Sequence, residues 1–353
     1  MIPTKKILVT KFKHIGDVLL MTPLLRTLKE AYPGGKIIVA VNKGTEAVLK
    51  HNPDIDKLLV YDRGLKKKSL MEKFLGEWQF LQDIRQEKVD LCIELSGGDR
   101  GAILGILSGA KQRVGYAKGK KGLFLRNRLF TSVSYSNNTQ KHMIIHNLDI
   151  LKEIGIQSCN TDLVLKVMEQ EKEGAKRCLN KWGIDLKQRL VIIHPTSRWL
   201  FKCWKDEYMA EISDYLVEKY QAKVIFTSSP VGKEVEKIEN ILAQLKYPVV
   251  NLAGKTSLRQ LAALLEKSCL FIGIDSAPMH MAAALKISSI VLFGPSGYKN
   301  WGPLNKEAVV LSKELPCIPC GRAGCDDSKV SKCLDIITPQ DVKEKIDKQF
   351  AAF

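Results

Sequence analysis

The feature that most restricts what this chain can fold into is an alternation that runs through both of its halves. Short β-branched runs are separated by longer stretches of helical periodicity, the pattern of βαβ units on a parallel sheet. In the first half the runs are KILVT (6–10), KIIVAV (36–41), KLLVY (57–61), VDLCIEL (89–95) and KQRVGY (111–116). In the second they are RLVIIHP (189–195), AKVIFTS (222–228), PVVNLA (248–253), CLFIGID (269–275) and SSIVLFG (288–294). A length of 353 residues, at ~100–200 residues per domain, agrees with two α/β domains of Rossmann type. The expected boundaries are 1–165 and 186–335, with a charge-rich linker at 166–185 and a terminal helix within 336–353. Parallel sheets bind ligands outside the carboxyl ends of their strands, so two of them predict a cleft lined by strand ends. The chemistry should sit there.

Composition narrows the partners. There are 55 basic against 38 acidic residues, a formal net charge of +17, which attracts polyanions of any kind. The basic residues cluster at Lys66, Lys67 and Lys68 and in KGKKGLFLRNR (118–128), where Leu123, Phe124 and Leu125 interleave with the charges. Two readings stay open for these clusters: a solvated loop, or a docking surface for an anionic, partly lipidic partner. No RRM, KH or zinc-finger pattern occurs, so nucleic acid is not an expected partner. No apolar run approaches the ~18 residues of a membrane span. The start, MIPTKKILVT, passes into a strand with no signal-peptide pattern, which predicts a cytoplasmic location.

Three segments at strand ends carry chemistry. In GIDSAPMHMAAAL (273–285) a buried strand ends at Asp275, Ser276 and Ala277 form a turn, and Pro278 opens an alanine-rich helix. Helix-start N–H groups and small residues make such a turn a phosphate seat. His280 lies within reach of the anion, and Asp275 is suited to a ribose hydroxyl. The plainer reading makes Ser276 an N-cap and His280 a packing residue. In HPTSRWLFKCW (194–204), Thr196 and Ser197 bring hydroxyls and Lys202 a cation, which topology puts beside the first segment. Near the amino terminus, IGDVLLMTPLL (15–25) sets Asp17 directly after a glycine at a strand-to-helix turn. It suits either a helix cap or a catalytic carboxylate.

Taken with RVGY (113–116) and FGPS (293–296), these segments resemble the ADP-heptose:lipopolysaccharide heptosyltransferases, inverting glycosyltransferases of GT-B fold, over nearly the whole chain. The form FKCW is most similar to the heptosyltransferase III branch, which adds a side-branch heptose to the second heptose of the inner core. The resemblance implies an amino-terminal acceptor-binding domain and a carboxyl-terminal nucleotide-sugar domain. It makes Asp17 the catalytic base and puts Lys202 on the donor phosphates. Thr196, Ser197, Glu234, Asp275, Ser276, Ala277 and His280 become donor-binding residues, with Glu234 on the adenosine ribose. ADP-heptose is then the donor substrate, with no cofactor or metal. The acceptor is a lipid A–inner core glycolipid, met at the inner face of the inner membrane by a peripheral protein. Arg113, Lys118, Lys120, Lys121, Arg126 and Arg128 are the expected acceptor-side cations. Where relatives often carry Thr-Gly in the sugar-donor turn, this chain has Ser276 and Ala277, which keeps a hydroxyl and a small residue.

Asp54 and Asp56 spell the D-x-D of metal-dependent sugar transferases, but they follow His51, Asn52 and Pro53 and read as turn chemistry. Cys317, Cys320, Cys325 and Cys333 form a C-x2-C-x4-C-x7-C pattern that suits either free thiols or a structural zinc. Two other function classes share much of this pattern. A GT-B-like sugar-nucleotide epimerase would turn over without acceptor. A non-enzymatic binder of anionic glycolipid or nucleic acid would need neither Asp17 nor Lys202.

Overall fold

A computed structural model of the chain describes residues 5–117, 125–136, 141–185 and 187–351. The chain divides into two compact units, Met1–Lys166 and Val167–Phe353.

The first unit is built on strands β1 (Lys6–Lys11), β2 (Lys36–Asn42), β3 (Lys57–Tyr61), β4 (Leu91–Glu94), β5 (Gln112–Tyr116) and β6 (Ser132–Ser134). They form one sheet in the order β3-β2-β1-β4-β5-β6, with every pairing parallel. Val9 stands opposite Val39 on one side and Ile93 on the other. Such central strands are buried on both faces, which is why they read as continuous apolar runs. The helices are α1 (Ile15–Leu19), α2 (Thr22–Ala31), α3 (Leu70–Gln86), α4 (Asp99–Leu107) and α5 (Met143–Asp149). Ser69 starts α3 as half of a capping box: its Oγ accepts from the Glu72 amide, and Glu72 accepts from the Ser69 amide at 3.1 Å. Phe80 and Ile84 of α3 join Leu8, Ile38, Ala40 and Leu59 in the core beneath.

The second unit repeats the plan. Strands β7 (Leu190–His194), β8 (Lys223–Ser228), β9 (Val250–Ala253), β10 (Leu270–Ile274), β11 (Ser289–Leu292) and β12 (Ala308–Leu311) run in the order β12-β11-β10-β7-β8-β9. Renumbered from its first strand, this is the same 3-2-1-4-5-6 order as in the first unit, the doubly wound arrangement of Rossmann folds. The helices are α6 (Glu169–Lys181), α7 (Asp206–Tyr220), α8 (Gly232–Leu242), α9 (Leu258–Lys267), α10 (Ala277–Ala284), α11 (Tyr298–Trp301), α12 (Lys332–Asp335) and α13 (Pro339–Ala351).

Two expectations change. Each sheet has a sixth strand at its edge, β6 and β12: β6 (SVS) is too short and polar to show a period, and β12 (AVVL) is apolar but only four residues long and only half-covered. The expected linker is largely a helix, α6: Ala175 and Leu179 are buried, and Arg259 of α9 grips Glu171 through two nitrogens. The terminal helix expected within 336–353 is present as α13, with Val342, Ile346 and Phe350 in the second unit's core and Asp347 accepting from Tyr215 and Tyr220 at 2.6 Å each.

Candidate functional site

In a sheet of this order the chain leaves in opposite directions from the two central strands, opening a crevice at their carboxyl ends. That point is β1/β4 in the first unit and β7/β10 in the second. The segments singled out from sequence follow β1, β7 and β10.

After β1 the chain turns through Phe12, whose amide donates to Ser96 Oγ beyond β4 at 2.8 Å, and enters α1. Asp17 is half-buried in the first turn of α1, and the His14 amide donates to its Oδ2 at 3.3 Å. The carboxylate therefore does serve the helix start, through one long bond that leaves it most of its accepting capacity. Lys11 ends β1 beneath it. This lysine is 2% exposed and donates to Leu95 O at 2.9 Å and Asn147 Oδ1 at 3.2 Å. Burial pushes its pKa down to about 8, against the opposing pull of Asp17 and Glu94. Glu94, fully buried, accepts from the Ser96 and Gly97 amides at 2.7 and 3.0 Å. Its pKa is raised by burial, which Arg126 partly opposes. At Gly101 any Cβ would collide with Glu94, so only glycine lets α4 close over this carboxylate.

Beside these groups is a cavity of about 200 Å³ whose lining includes Phe12, Lys13, Asn42, Arg63, Ser96 and Arg100. Its polar groups come from the ends of β1, β2, β3 and β4; three are cations and one, Asp99, is a carboxylate. Arg100 lies 3.9 Å over the Tyr61 ring and makes two 2.8 Å bonds to Glu77 of α3. Sequence reading passed over Lys13, Arg63 and Arg100. The available signal was position, since each follows the carboxyl end of a strand.

The expected acceptor-side cations do not form one surface. Arg126 is 1% exposed, bound to Glu94 Oε2 and to Tyr116 O at 3.1 Å each. It neutralises a buried carboxylate and is not available for docking. Arg113 donates to Leu129 O at 2.8 Å and to Ala110 O at 2.7 Å, tying β5 to the loop before β6. Arg128 is exposed. Lys118, Lys120 and Lys121 lie outside the described residues.

The second unit gathers most of its expected donor residues. Lys202 Nζ lies 2.5 Å from Asp275 Oδ2, with their side chains 14% and 11% exposed, and 5.0 Å from the centre of the Trp199 ring. Ser296, within the FGPS segment but given no role from sequence, donates to the same Asp275 oxygen. Asp275 is thus held by a cation and a hydroxyl. Ser276 precedes α10 without capping it, and its Oγ is buried with no hydrogen-bond partner among the described residues. Ala277 and Pro278 begin the helix, and His280, two residues on, is buried in its first turn. Glu234 is 3% exposed and accepts from Thr196 at 2.9 Å and Ser229 at 2.6 Å, so Thr196 is held against Glu234. Ser197 Oγ donates to Trp199 O at 3.0 Å and accepts from its amide at 3.1 Å, which shapes the turn leading to Lys202. His194, at the end of β7, pairs with Thr227 at 2.9 Å; burial pushes its pKa down to about 4.

Asp56 pairs with Lys29 at 2.9 Å and accepts from the Ile37 amide at 2.8 Å, while Asp54 faces Arg26 at 3.5 Å. Both carboxylates are occupied with turn and helix contacts. Cys333 is buried and its thiol is pushed up to about 11, first by burial and then by the nearby Cys325, Cys320 and Cys317. Among the described residues no group of three or more His, Cys, Asp or Glu is arranged to hold a metal ion.

Two doubly wound units, a cationic cavity near a carboxylate in the first, and a lysine–aspartate pair before a helix start in the second, suit a transferase of nucleotide-activated sugars. Residues 77–331 match the family model "Glycosyltransferase family 9 (heptosyltransferase)", and the chain belongs to that family: it is a heptosyltransferase of lipopolysaccharide core biosynthesis with the GT-B fold. It is 31% identical to lipopolysaccharide heptosyltransferase 3 of Escherichia coli (strain K12), over 84% of this chain and 85% of that protein. Similar solved structures include the family 9 glycosyl transferase from Veillonella parvula DSM 2008 (TM-score 0.85, 24% identity, 99% and 98% of the two chains). E. coli heptosyltransferase WaaC with ADP superposes with a TM-score of 0.74, at 20% identity over 98% and 99% of the two chains.

Proposed function

We propose that this chain transfers L-glycero-D-manno-heptose from ADP-heptose to the second heptose of the lipopolysaccharide inner core, with inversion and without a metal. The observation that carries the donor half is the Lys202–Asp275–Ser296 cluster at the start of α10. As the glycosidic bond to ADP breaks, the leaving diphosphate gains negative charge. Lys202 and the first amide of α10 stabilise that charge, and the unpartnered Ser276 Oγ donates to it. Pro278 contributes no N–H. Asp275 serves the ribose or sugar hydroxyls, and Glu234 the adenosine end. A lysine and a helix start together neutralise the diphosphate, which is the task a divalent cation performs elsewhere.

In the first unit Asp17 takes the proton of the acceptor hydroxyl as its oxygen attacks the anomeric carbon. Asp17 acts through placement, holding a carboxylate oxygen ready for the hydroxyl proton. The cavity bearing Lys13, Arg63 and Arg100 holds the phosphorylated acceptor sugars. The choice of the second heptose rests on the likeness to lipopolysaccharide heptosyltransferase 3. The acceptor is a membrane glycolipid, so the chain works at the inner face of the inner membrane. The test is to incubate purified protein with ADP-heptose in EDTA and core oligosaccharides ending at the first or the second heptose. One heptose should be added to the second acceptor and none to the first. Turnover of ADP-heptose without acceptor, or loss of transfer in EDTA, overturns the proposal.

A further inference from the structure

The first unit carries an apolar surface that none of its described residues covers. On α3, Leu70 is 85% exposed, Met71 68%, Phe74 66%, Leu75 54% and Trp78 50%. At ~100° per residue these five positions fall on one arc about 140° wide, roughly opposite the buried Phe80 and Ile84. Taking about 200 Å² for a fully exposed large apolar residue, the arc presents about 650 Å², above the ~300–600 Å² of a typical monomer's largest patch. On α4, Ile103, Ile106 and Leu107 are about 40% exposed each and share one helix face. The two Arg100–Glu77 bonds hold α4 against α3, and among the described residues no helix is long and apolar enough to cross a membrane.

We propose that α3 and α4 form a docking face that settles into the headgroup boundary of an anionic lipid bilayer. Charge decides the occupant. The arc contains no acidic residue; Lys66, Lys67 and Lys68 precede it in sequence, and exposed Arg85 lies at its other end. The acidic Glu72 and Asp83 lie about 60–80° beyond one edge of it on the helical wheel, and Glu77, about 20° beyond the other edge, is neutralised by its two bonds to Arg100. A helix with apolar residues on one side and cations at its margins suits an anionic membrane interface. A second copy packed with α3 antiparallel across a two-fold axis would bring the lysines before one α3 towards the exposed Arg85 of the other, cation against cation. The inference deepens the proposed function and rests on its membrane acceptor: Arg100 lines the cavity and also holds α3, so docking would set the acceptor's headgroup beside the groups meant to bind it.

The test uses the full chain and vesicles of phosphatidylethanolamine and phosphatidylglycerol. The native protein should co-sediment with them and not with pure phosphatidylcholine vesicles. The double variant Phe74→Ser, Trp78→Ser should bind at least about 10-fold more weakly and yet transfer heptose to a deacylated, water-soluble acceptor as the native protein does. Equal vesicle binding by the variant overturns the inference. So does a native dimer that the same substitutions convert to monomer, which would show a second copy on the face. If the native protein transfers heptose to no acceptor but binds vesicles through Phe74 and Trp78, the functional reading fails and the docking face stands.

Discussion

Removing Lys202 should cost more than one contact, because its neighbour is a carboxylate. In the structure the ammonium and Asp275 are 2.5 Å apart and both largely shielded from water. Lys202→Ala removes a charge-assisted bond to the donor diphosphate, about 1.5–3 kcal/mol. It also leaves Asp275 uncompensated beside the incoming phosphates. At ~6 Å and an effective dielectric near ~20, each such like-charge pair opposes binding by up to about 3 kcal/mol before salt screening. With about 1–3 kcal/mol for the repulsion the two costs sum to about 2.5–6 kcal/mol, so the single variant should bind ADP between about a hundredfold and about ten-thousandfold more weakly than the native protein. The isosteric Asp275→Asn removes the repulsion and keeps the shape, so Lys202→Ala, Asp275→Asn should recover about 1–3 kcal/mol, roughly 10- to 100-fold. Asp275→Asn alone should stay within about 10-fold of native, since losing a ribose contact is offset by freeing Lys202 from its partner. Calorimetric titration of ADP into the four proteins closes the cycle. A double variant no tighter than Lys202→Ala refutes the electrostatic reasoning, and native affinity in Lys202→Ala removes Lys202 from the donor seat.

Arg126→Ala should act on folding, because it strands Glu94 as a buried, unpaired carboxylate at a cost of about 3–5 kcal/mol. A Tm unchanged by scanning calorimetry would restore Arg126 to the surface role expected from sequence. His146 and His194 are each buried with the pKa lowered to about 4. Both folded and unfolded chains are neutral there above about pH 6.5; below it the unfolded chain takes up protons first, so stability falls as pH drops toward 4, by up to about 3 kcal/mol per histidine. A Tm that stays flat over that window contradicts the burial argument. The four cysteines of the C-x2-C-x4-C-x7-C loop are expected to be free thiols, with no metal found by elemental analysis; one zinc per chain would reverse that reading.

What the sequence made legible was what periodicity and strand ends encode. Buried parallel strands such as KILVT, RLVIIHP and CLFIGID announce themselves because both faces are apolar, and Asp17, Lys202 and Asp275 lie in the segments at or just beyond their carboxyl ends. Side-chain pairing was not legible. Nothing in RNRLF distinguishes Arg126, sealed against Glu94, from the exposed Arg128 two positions on, because the partner lies 32 residues away on another strand. The same holds for Ser296, which meets Asp275 only because β10 and β11 are neighbours in the sheet. Lys11 sits at the end of an apolar strand, where a lysine is expected to reach solvent; Asn147, 136 residues away in the chain, holds it inside instead. The apolar arc of α3 escaped notice because its residues look like ordinary core positions until the sheet shows which side they face.

The most direct test of the account is the Asp17→Asn variant, assayed for heptose transfer and for ADP binding on the same preparation. Asparagine keeps the size and can still accept from the His14 amide, so the fold and ADP affinity should match the native protein while turnover falls by about 10²–10⁴-fold, the usual worth of a positioned general base. Turnover close to native with ADP affinity intact would make Asp17 only a helix cap, and the proposed mechanism would be wrong.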